Sequence, residues 1–203
     1  MKIVHLRGTS ASGKTCLARS LIDDPRGEWK TDMGECLVSA IKVRKIQIPR
    51  GYVSEPWRLY VVGSYVSVCG GAEGLKQEEI TARVLTQARA GYNVVFEGLL
   101  CGTSFGRWYD LALEVRREGY GEYISCLMPA TVEECVERLR LRREAKGTDR
   151  PITDKTKHIT WSNHHSCTRA HTKMAAHGIL AEILPRLREA ARVREILNLP
   201  EEL

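Results

Sequence analysis

The chain has 203 residues, of which 43% are hydrophobic and 28% charged, and its formal net charge is +6. These values are typical of a globular protein and exclude disordered and fibrous classes, and the length predicts a single domain over residues 1–203. No apolar run approaches the roughly 18 residues of a transmembrane helix, and the start has no signal-peptide pattern. We therefore expect a cytoplasmic protein without a membrane anchor.

The first third of the chain reads as a strand, a glycine turn and a helix. Residues 2–6 are apolar and β-branched, which predicts a buried strand, and apolar positions recur at helical spacing over Lys14–Ile22. Residues 37–48 and 58–68 are rich in β-forming residues. Because turn-forming residues lie between them at positions 49–56, we expect a hairpin or a pair of strands there.

Helices and strands then alternate. The spacing of apolar residues predicts helices over 78–90 and 111–118, and short apolar runs predict strands over 93–96 and 123–128. Strands that alternate with helices form a parallel sheet with helices on both faces. The expected fold class is therefore α/β, with a mostly parallel sheet.

The last third is more polar. Thr131, with Glu134 three residues later, has the pattern of a capping box at the start of a helix that runs to residue 143. Residues 145–167 contain few apolar positions, so we expect a long mobile segment there. A final helix is predicted over 168–197, broken or kinked near Pro185.

Seven cysteines are scattered along the chain without any Cys-x-x-Cys pair. This pattern is typical of reduced thiols buried as small hydrophobic side chains, and it does not favour metal binding through thiolates.

A complete phosphate-binding pattern follows the first strand. The pattern G-x-x-x-x-G-K-[ST] is matched by eight consecutive residues: Gly8, Thr9, Ser10, Ala11, Ser12, Gly13, Lys14 and Thr15. In a loop of this kind, between a strand and a helix, backbone N–H groups and the positive end of the helix dipole face a phosphate. Lys14 is expected to bind the β- and γ-phosphates of ATP, and the Thr15 hydroxyl to ligate Mg²⁺. The sequence therefore predicts a P-loop NTPase fold and a phosphotransferase.

Two glutamates are candidates for the carboxylates that phosphoryl transfer requires. Glu97 ends the predicted strand 93–96, and strand ends of this kind face the ligand crevice of an α/β sheet, so it is a candidate Mg²⁺ ligand. Close backbone approach is expected at Gly98, which follows it. Glu73 lies among glycines at 70, 71 and 74 and is the candidate general base for an acceptor hydroxyl. The alternatives are a solvent-facing glutamate at position 97 and a plain flexible loop around Glu73.

A basic segment lies further along the chain. Arginine and lysine are frequent over residues 138–173, and we expect residues 138–168 to form an arginine-rich lid in which Arg138 and Arg142 act together on the γ-phosphate. The alternative is a solvated helix face whose arginines pair with nearby glutamates. The histidines of this segment are interpreted as polar residues rather than metal ligands. Trp161 either stacks on a base or packs the lid down.

In its order of glycine loop, acidic strand end and arginine-rich lid, the chain resembles small P-loop kinases of the nucleotide-kinase type. The stretches 69–74 and 94–100 are similar to those of bacteriophage 5-hydroxymethyluracil DNA kinases. Where this chain has Glu73, an aspartate is usual in that family, so the carboxylate is kept with a longer reach. The resemblance implies transfer of phosphate from ATP to the base hydroxymethyl group in phage DNA. It also implies a DNA partner containing a modified pyrimidine and a location in the host cytoplasm.

Two other functions stay open. A nucleotide or small-molecule kinase would use the same loop and lid without contacts to DNA. A protein that hydrolyses a nucleoside triphosphate as a switch would need no acceptor, but it would need a water-positioning group and switch loops, and we identify neither in the sequence.

Overall fold

A seven-stranded sheet lies at the centre of the protein in a computed structural model that describes residues 1–37, 45–66, 71–148 and 150–201. In chain order the strands are β1 (Lys2–Arg7), β2 (Lys30–Leu37), β3 (Lys45–Ser54), β4 (Leu59–Val62), β5 (Asn93–Glu97), β6 (Glu122–Leu127) and β7 (Leu180–Ile183). The helices are α1 (Lys14–Ile22), α2 (Gln77–Arg89), α3 (Leu99–Thr103), α4 (Gly106–Arg117), α5 (Val132–Ala145), α6 (Asp154–Ala176) and α7 (Glu189–Leu197).

The strands are ordered β2-β3-β4-β5-β1-β6-β7 across the sheet. From β4 to β7 every neighbouring pair is parallel, whereas β2 and β3 are added antiparallel at one edge. The predicted α/β class with a mostly parallel sheet is therefore confirmed. The central position of β1 and β5 follows from their sequences, because only strands that are apolar on both faces can be buried between two layers of helices.

Two apolar cores lie on opposite faces of the sheet. One core includes Val84 from α2 and Trp108 from α4, and the other includes Leu17 from α1 and Val193 from α7. Within α2 and α4 the buried residues recur three or four positions apart, so each of these helices packs one apolar stripe against the sheet. None of the helices in the described ranges is long and apolar enough to cross a membrane.

The prediction of a pair of strands with a turn between them over residues 37–68 was correct in kind, but the first strand lies later in the chain than predicted. Of the turn predicted at positions 49–56, only the end is a turn, because Pro49 and its neighbours lie inside β3 and the chain turns after Ser54. A proline is accommodated there because the β2–β3 register shifts between Asp32 and Met33, so that Arg50 bulges out of the ladder. The parts of the prediction on residues 38–44 and 67–68 lie outside the described residues.

The predictions for the last third were wrong in two places. Most of the polar stretch 145–167, expected to be mobile, belongs to the 23-residue helix α6, and the final helix expected over 168–197 is interrupted by β7. The stripe that α6 buries is made of small and polar residues, so it carries little hydrophobic periodicity: Thr160, Cys167, Ala170, His171 and Met174. The capping box at Thr131 and Glu134 is confirmed. The short helix α3 was not predicted.

Candidate active site

The glycine loop connects β1 to α1 at the carboxyl edge of the parallel strands. Gly8 and Gly13 have φ angles of 153° and 104°, which L-residues with a side chain rarely adopt. A Cβ atom on Gly8 would also lie only 2.5 Å from the Ser12 hydroxyl oxygen. The two glycines of the pattern are therefore required by the path of the backbone, which folds residues 8–13 tightly over the start of α1.

Lys14 lies inside this loop. The residue is buried, and its Nζ donates hydrogen bonds to the carbonyl oxygens of Gly8 at 2.8 Å and Thr9 at 2.9 Å. A buried ammonium group that is satisfied only by neutral oxygens stays available to an anion, because a phosphate oxygen is the stronger acceptor. Lys14 is thus held where the sequence predicts that phosphates bind.

Thr15 and Glu97 meet directly. The Thr15 hydroxyl donates to Glu97 Oε1 at 3.0 Å, and Glu97 is only 1% exposed, so the alternative of a solvent-facing glutamate is wrong. The parallel register places Glu97 beside Leu6, at the end of β1. Burial raises the pKa of the Glu97 carboxyl, while the charge of Lys14 and the Thr15 hydrogen bond oppose that rise.

A hydroxyl and a carboxylate in contact are suitable ligands for Mg²⁺, which prefers oxygen. Among the described residues no group of three or more His, Cys, Asp or Glu side chains is arranged to hold a metal alone. This agrees with the usual mode of Mg²⁺ binding in phosphotransferases, where one or two protein ligands are completed by substrate phosphates and water.

Glu73 lines the same cavity. Its Oε1 accepts a hydrogen bond from the backbone N–H of Leu99 at 3.1 Å, which orients the exposed carboxylate at the start of α3. The expected close backbone approach is found at Gly71 rather than at Gly98. A Cβ on Gly71 would collide with the Glu97 carboxylate, whereas one on Gly98 would make only ordinary contacts. Positions 69 and 70 of the predicted loop lie outside the described residues.

The arginines of α5 divide into two groups. Arg138 Nη1 donates to the Ala11 carbonyl oxygen in the glycine loop at 3.3 Å, and Arg142 lines the cavity. Arg140 pairs instead with Glu137 and Glu144 on its own helix. Arg138 therefore contacts the glycine loop, Arg142 lines the cavity, and Arg140 lies on a paired, solvated helix face. The action of Arg138 and Arg142 on the γ-phosphate stays a prediction.

These residues surround one cavity with a volume of about 90 Å³. The structure thus brings the glycine loop, both glutamates and Arg142 to one place, although the loop and Arg142 are more than 120 residues apart in sequence. Its lining consists of Ser10, Ala11, Ser12, Gly13, Lys14, Thr15, Cys16, Glu73, Glu97 and Arg142.

Arg7 supports the site and was not singled out from the sequence. The side chain is fully buried, and its Nη1 donates to the carbonyl oxygens of Gly102 and Ser104, both at 2.8 Å, while Nε donates to Ser125 Oγ at 3.0 Å. These bonds hold α3 against β1 directly below the glycine loop. The available signal was a charged residue that ends an apolar strand immediately before Gly8.

Helix α6 also touches the glycine loop. The Thr9 hydroxyl donates to the Thr160 carbonyl oxygen at 3.4 Å. The next residue, Trp161, is half exposed, and its ring contacts that of His165 one turn later.

No family model matches the chain, but three phage proteins named "5-hmdU DNA kinase" are similar to it. The protein of Pseudomonas phage PaMx11 is 28% identical over 151 residues, which cover 74% of each chain. That of Pseudomonas phage M6 is 25% identical over 72% of this chain and 74% of its own. The match to the Bacillus phage SP10 protein, at 24% identity, covers 71% of this chain and 21% of that protein. The predicted resemblance to this family is confirmed, and the prediction of a phosphotransferase enzyme agrees with it.

Proposed function

We propose that the chain is an ATP- and Mg²⁺-dependent P-loop kinase that phosphorylates the hydroxymethyl group of 5-hydroxymethyluracil in DNA. The observation that carries this proposal is the cavity in which the glycine loop faces Glu73 and Glu97. One carboxylate is buried against Thr15 and the other is exposed at the rim. Such a pair can serve two different roles in one transfer, one toward the metal and one toward the acceptor.

In this mechanism the N–H groups of residues 8–15 and the Lys14 ammonium hold the β- and γ-phosphates. Thr15 and Glu97 would hold Mg²⁺, which would supply positive charge to offset that of the phosphates. Residues 138–168 act as the lid, from which Arg138 and Arg142 stabilise the charge that develops on the γ-phosphoryl group.

Glu73 accepts the proton of the acceptor hydroxyl. As that oxygen forms its bond to the γ-phosphorus, the bond from phosphorus to the β–γ bridging oxygen breaks and ADP leaves. The hydrogen bond from the Leu99 N–H to Oε1 fixes one oxygen of Glu73 and orients the other for the proton. The identity of the acceptor is supported by the names of the three similar phage proteins.

The test is transfer of labelled phosphate from ATP to three acceptors: DNA containing 5-hydroxymethyluracil, the same DNA with thymine, and free nucleosides or nucleotides. We expect label only in the first, and none with Lys14→Ala. If label appeared only in free nucleosides or nucleotides, the acceptor would be a small molecule and not DNA. ATP hydrolysis without label in any acceptor would favour a hydrolytic switch.

A further inference from the structure

An exposed row of basic and aromatic side chains runs along α6, outside the cavity of the candidate active site. Its members are spaced four residues apart, so neighbours lie one turn from each other, and all are exposed. We call this set the α6 row, and it consists of Lys157, Trp161, His165, Arg169 and Lys173. At 1.5 Å per residue the row rises about 24 Å along the helix, and it winds by about 160° around the axis because four residues exceed one turn by about 40°.

The charge on this helix is unbalanced. Asp154 is the one acidic residue in the 23 residues of α6, and it pairs with Lys157 at 3.2 Å. Arg169 and Lys173 form no ion pair with any residue in the described parts of the chain. A solvated helix face usually carries charges of both signs, so this row presents positive charge that the protein itself does not neutralise.

Flat side chains lie between these charges. The Trp161 ring is 50% exposed, and its centroid is 4.0 Å from that of His165. At the other end of the row, the Lys173 ammonium lies 5.7 Å from the centre of the Phe105 ring, which is itself stacked on Tyr109. An exposed tryptophan among cations is the arrangement that binds bases by stacking and phosphates by charge.

Two shallow depressions follow the row and share Arg169. One is lined by Trp161 and His165, and the other by Phe105 and Lys173, and none of the described residues that line them is acidic. The row also begins beside the candidate active site, because Trp161 follows Thr160, which accepts the hydrogen bond from Thr9 of the glycine loop. A ligand along the row would therefore lie on the same helix that contacts the glycine loop.

We propose that the α6 row binds a single-stranded or unpaired segment of DNA, with a base stacked on Trp161 and phosphates on Arg169 and Lys173. This inference rests on the proposed function, since it names the surface that holds the DNA whose base is phosphorylated. At about 3.4 Å per phosphate in a stacked strand, a row of about 24 Å matches roughly seven nucleotides, and fewer in an extended strand. Unpaired DNA fits because stacking needs a base face that a duplex hides.

The test measures binding of a fluorescent single strand of about 15 nucleotides, without ATP, by anisotropy over a salt series. Replacing Trp161 by alanine should weaken binding by about 5- to 100-fold, the range for loss of one stacked base, whereas Trp161→Phe should keep most of the affinity. The double variant Arg169→Ala/Lys173→Ala should reduce the slope of log K against log salt by about 1.4, or about 0.7 for each lost phosphate contact.

The matched control is Arg117→Ala/Arg188→Ala, which removes two exposed arginines that pair with Glu118 and Glu195. It changes the net charge by the same amount as the α6 double variant. Because the two arginines lie outside the α6 row, the salt slope should stay at the wild-type value. Thermal melting is measured for every variant and should not change. An equal loss of slope in the control and the α6 variant would overturn the proposal, as would wild-type affinity in Trp161→Ala. So would polyglutamate that competes as well as DNA.

Failure of the α6 row and failure of the proposed function would give different experimental results. The wild-type protein could transfer no phosphate to 5-hydroxymethyluracil DNA and still bind single strands with the variant effects above. That result would overturn the proposed kinase substrate and support DNA binding by the α6 row. A protein that phosphorylates this DNA while the α6 variants keep the wild-type KM for DNA would overturn the row alone.

Discussion

The cavity at the glycine loop and the α6 row both carry basic side chains, but they hold them in opposite ways. In the cavity, Lys14 is buried and bonded to two carbonyl oxygens, and Glu97 is buried against Thr15. On the row, Arg169 and Lys173 are exposed and outside any ion pair that the described residues form. Buried charges interact strongly and at fixed geometry, whereas exposed charges are screened by water and salt. We therefore expect large effects when a charge is removed from the cavity, and small, salt-dependent effects when a charge is removed from the row.

The largest effect is expected at Lys14. Lys14→Ala removes the charge held inside the glycine loop, and we expect kcat for phosphoryl transfer to fall at least about 10³-fold. The matched control is Lys157→Ala on the α6 row, for which kcat at saturating DNA should stay within about 2-fold. Turnover of the two purified variants decides the comparison, with circular dichroism to show that both are folded. A Lys14→Ala enzyme close to wild-type turnover would contradict the assignment of the site.

Glu73 is expected to follow, because a general base acts on the acceptor and not on ATP. Glu73→Gln should lower kcat by about 10²- to 10⁴-fold while ATP affinity stays unchanged. Glu73→Asp, the residue usual in the similar family, should recover part of that loss. Steady-state kinetics with ATP and acceptor varied separately measure both effects. Full activity in Glu73→Gln would move the role of base to another residue.

Glu97→Gln is expected to weaken Mg²⁺ binding and to increase the stability of the fold. Loss of the carboxylate charge should raise the Mg²⁺ concentration for half-maximal activity by about 10- to 100-fold, as is typical when a metal site loses a supporting group. A magnesium titration of the activity measures this shift. Loss of activity without any change in metal dependence would reassign Glu97.

The same variant tests the sign of the pKa shift. Because burial raises the folded-state pKa of Glu97, its contribution to stability is complete below the unfolded pKa and is lost as pH rises through the folded pKa. At neutral pH the ionised carboxylate therefore costs stability. In Glu97→Gln the neutral amide should raise the free energy of unfolding by about 0.5–2 kcal/mol. Denaturant unfolding at neutral pH measures the gain, and at a pH where Glu97 is protonated the gain should disappear.

The smallest effect on kcat is expected for the arginines of α5. They allow a cavity-lining charge and an exposed charge to be compared within one helix. Arg142→Ala should lower kcat at least about 10-fold, because this residue lines the cavity. Arg140→Ala should leave kcat within about 2-fold, since this exposed side chain contacts glutamates of its own helix. The same kinetic assay serves for both. Equal losses in the two variants would show that the number of charges on α5 matters rather than their positions.

The sequence was sufficient to predict the centre of the fold. Continuous apolar runs have few alternatives to a buried strand, so β1, β5 and β6 are predicted to within about two residues. The glycine loop is predicted in full, because its spacing follows from local backbone geometry. The contact between Glu97 and Thr15 was only implied by the rule that strand ends meet at one edge of the sheet.

Other parts depend on contacts that are distant in sequence. Helix α6 was missed because the side chains it buries, such as Thr160 and His171, are ones that usually lie in contact with water. The burial of Arg7 depends on carbonyl oxygens of residues 102 and 104, which no local pattern reveals. The antiparallel edge was misplaced because Pro49 is tolerated only through a bulge opposite β2.

The hydrogen bond from Thr9 to Thr160 joins the loop proposed to hold ATP to the helix proposed to hold DNA. Two ligands that bind one molecule are thermodynamically linked: whatever factor nucleotide contributes to DNA affinity, DNA contributes the same factor to nucleotide affinity. This coupling factor can be measured by titrating either ligand in the presence and absence of the other, and it describes how the ternary complex assembles. Because this bond is a direct contact between the two elements, Thr9→Val is the substitution that should change that factor while leaving each ligand's affinity for the otherwise free protein nearly unchanged.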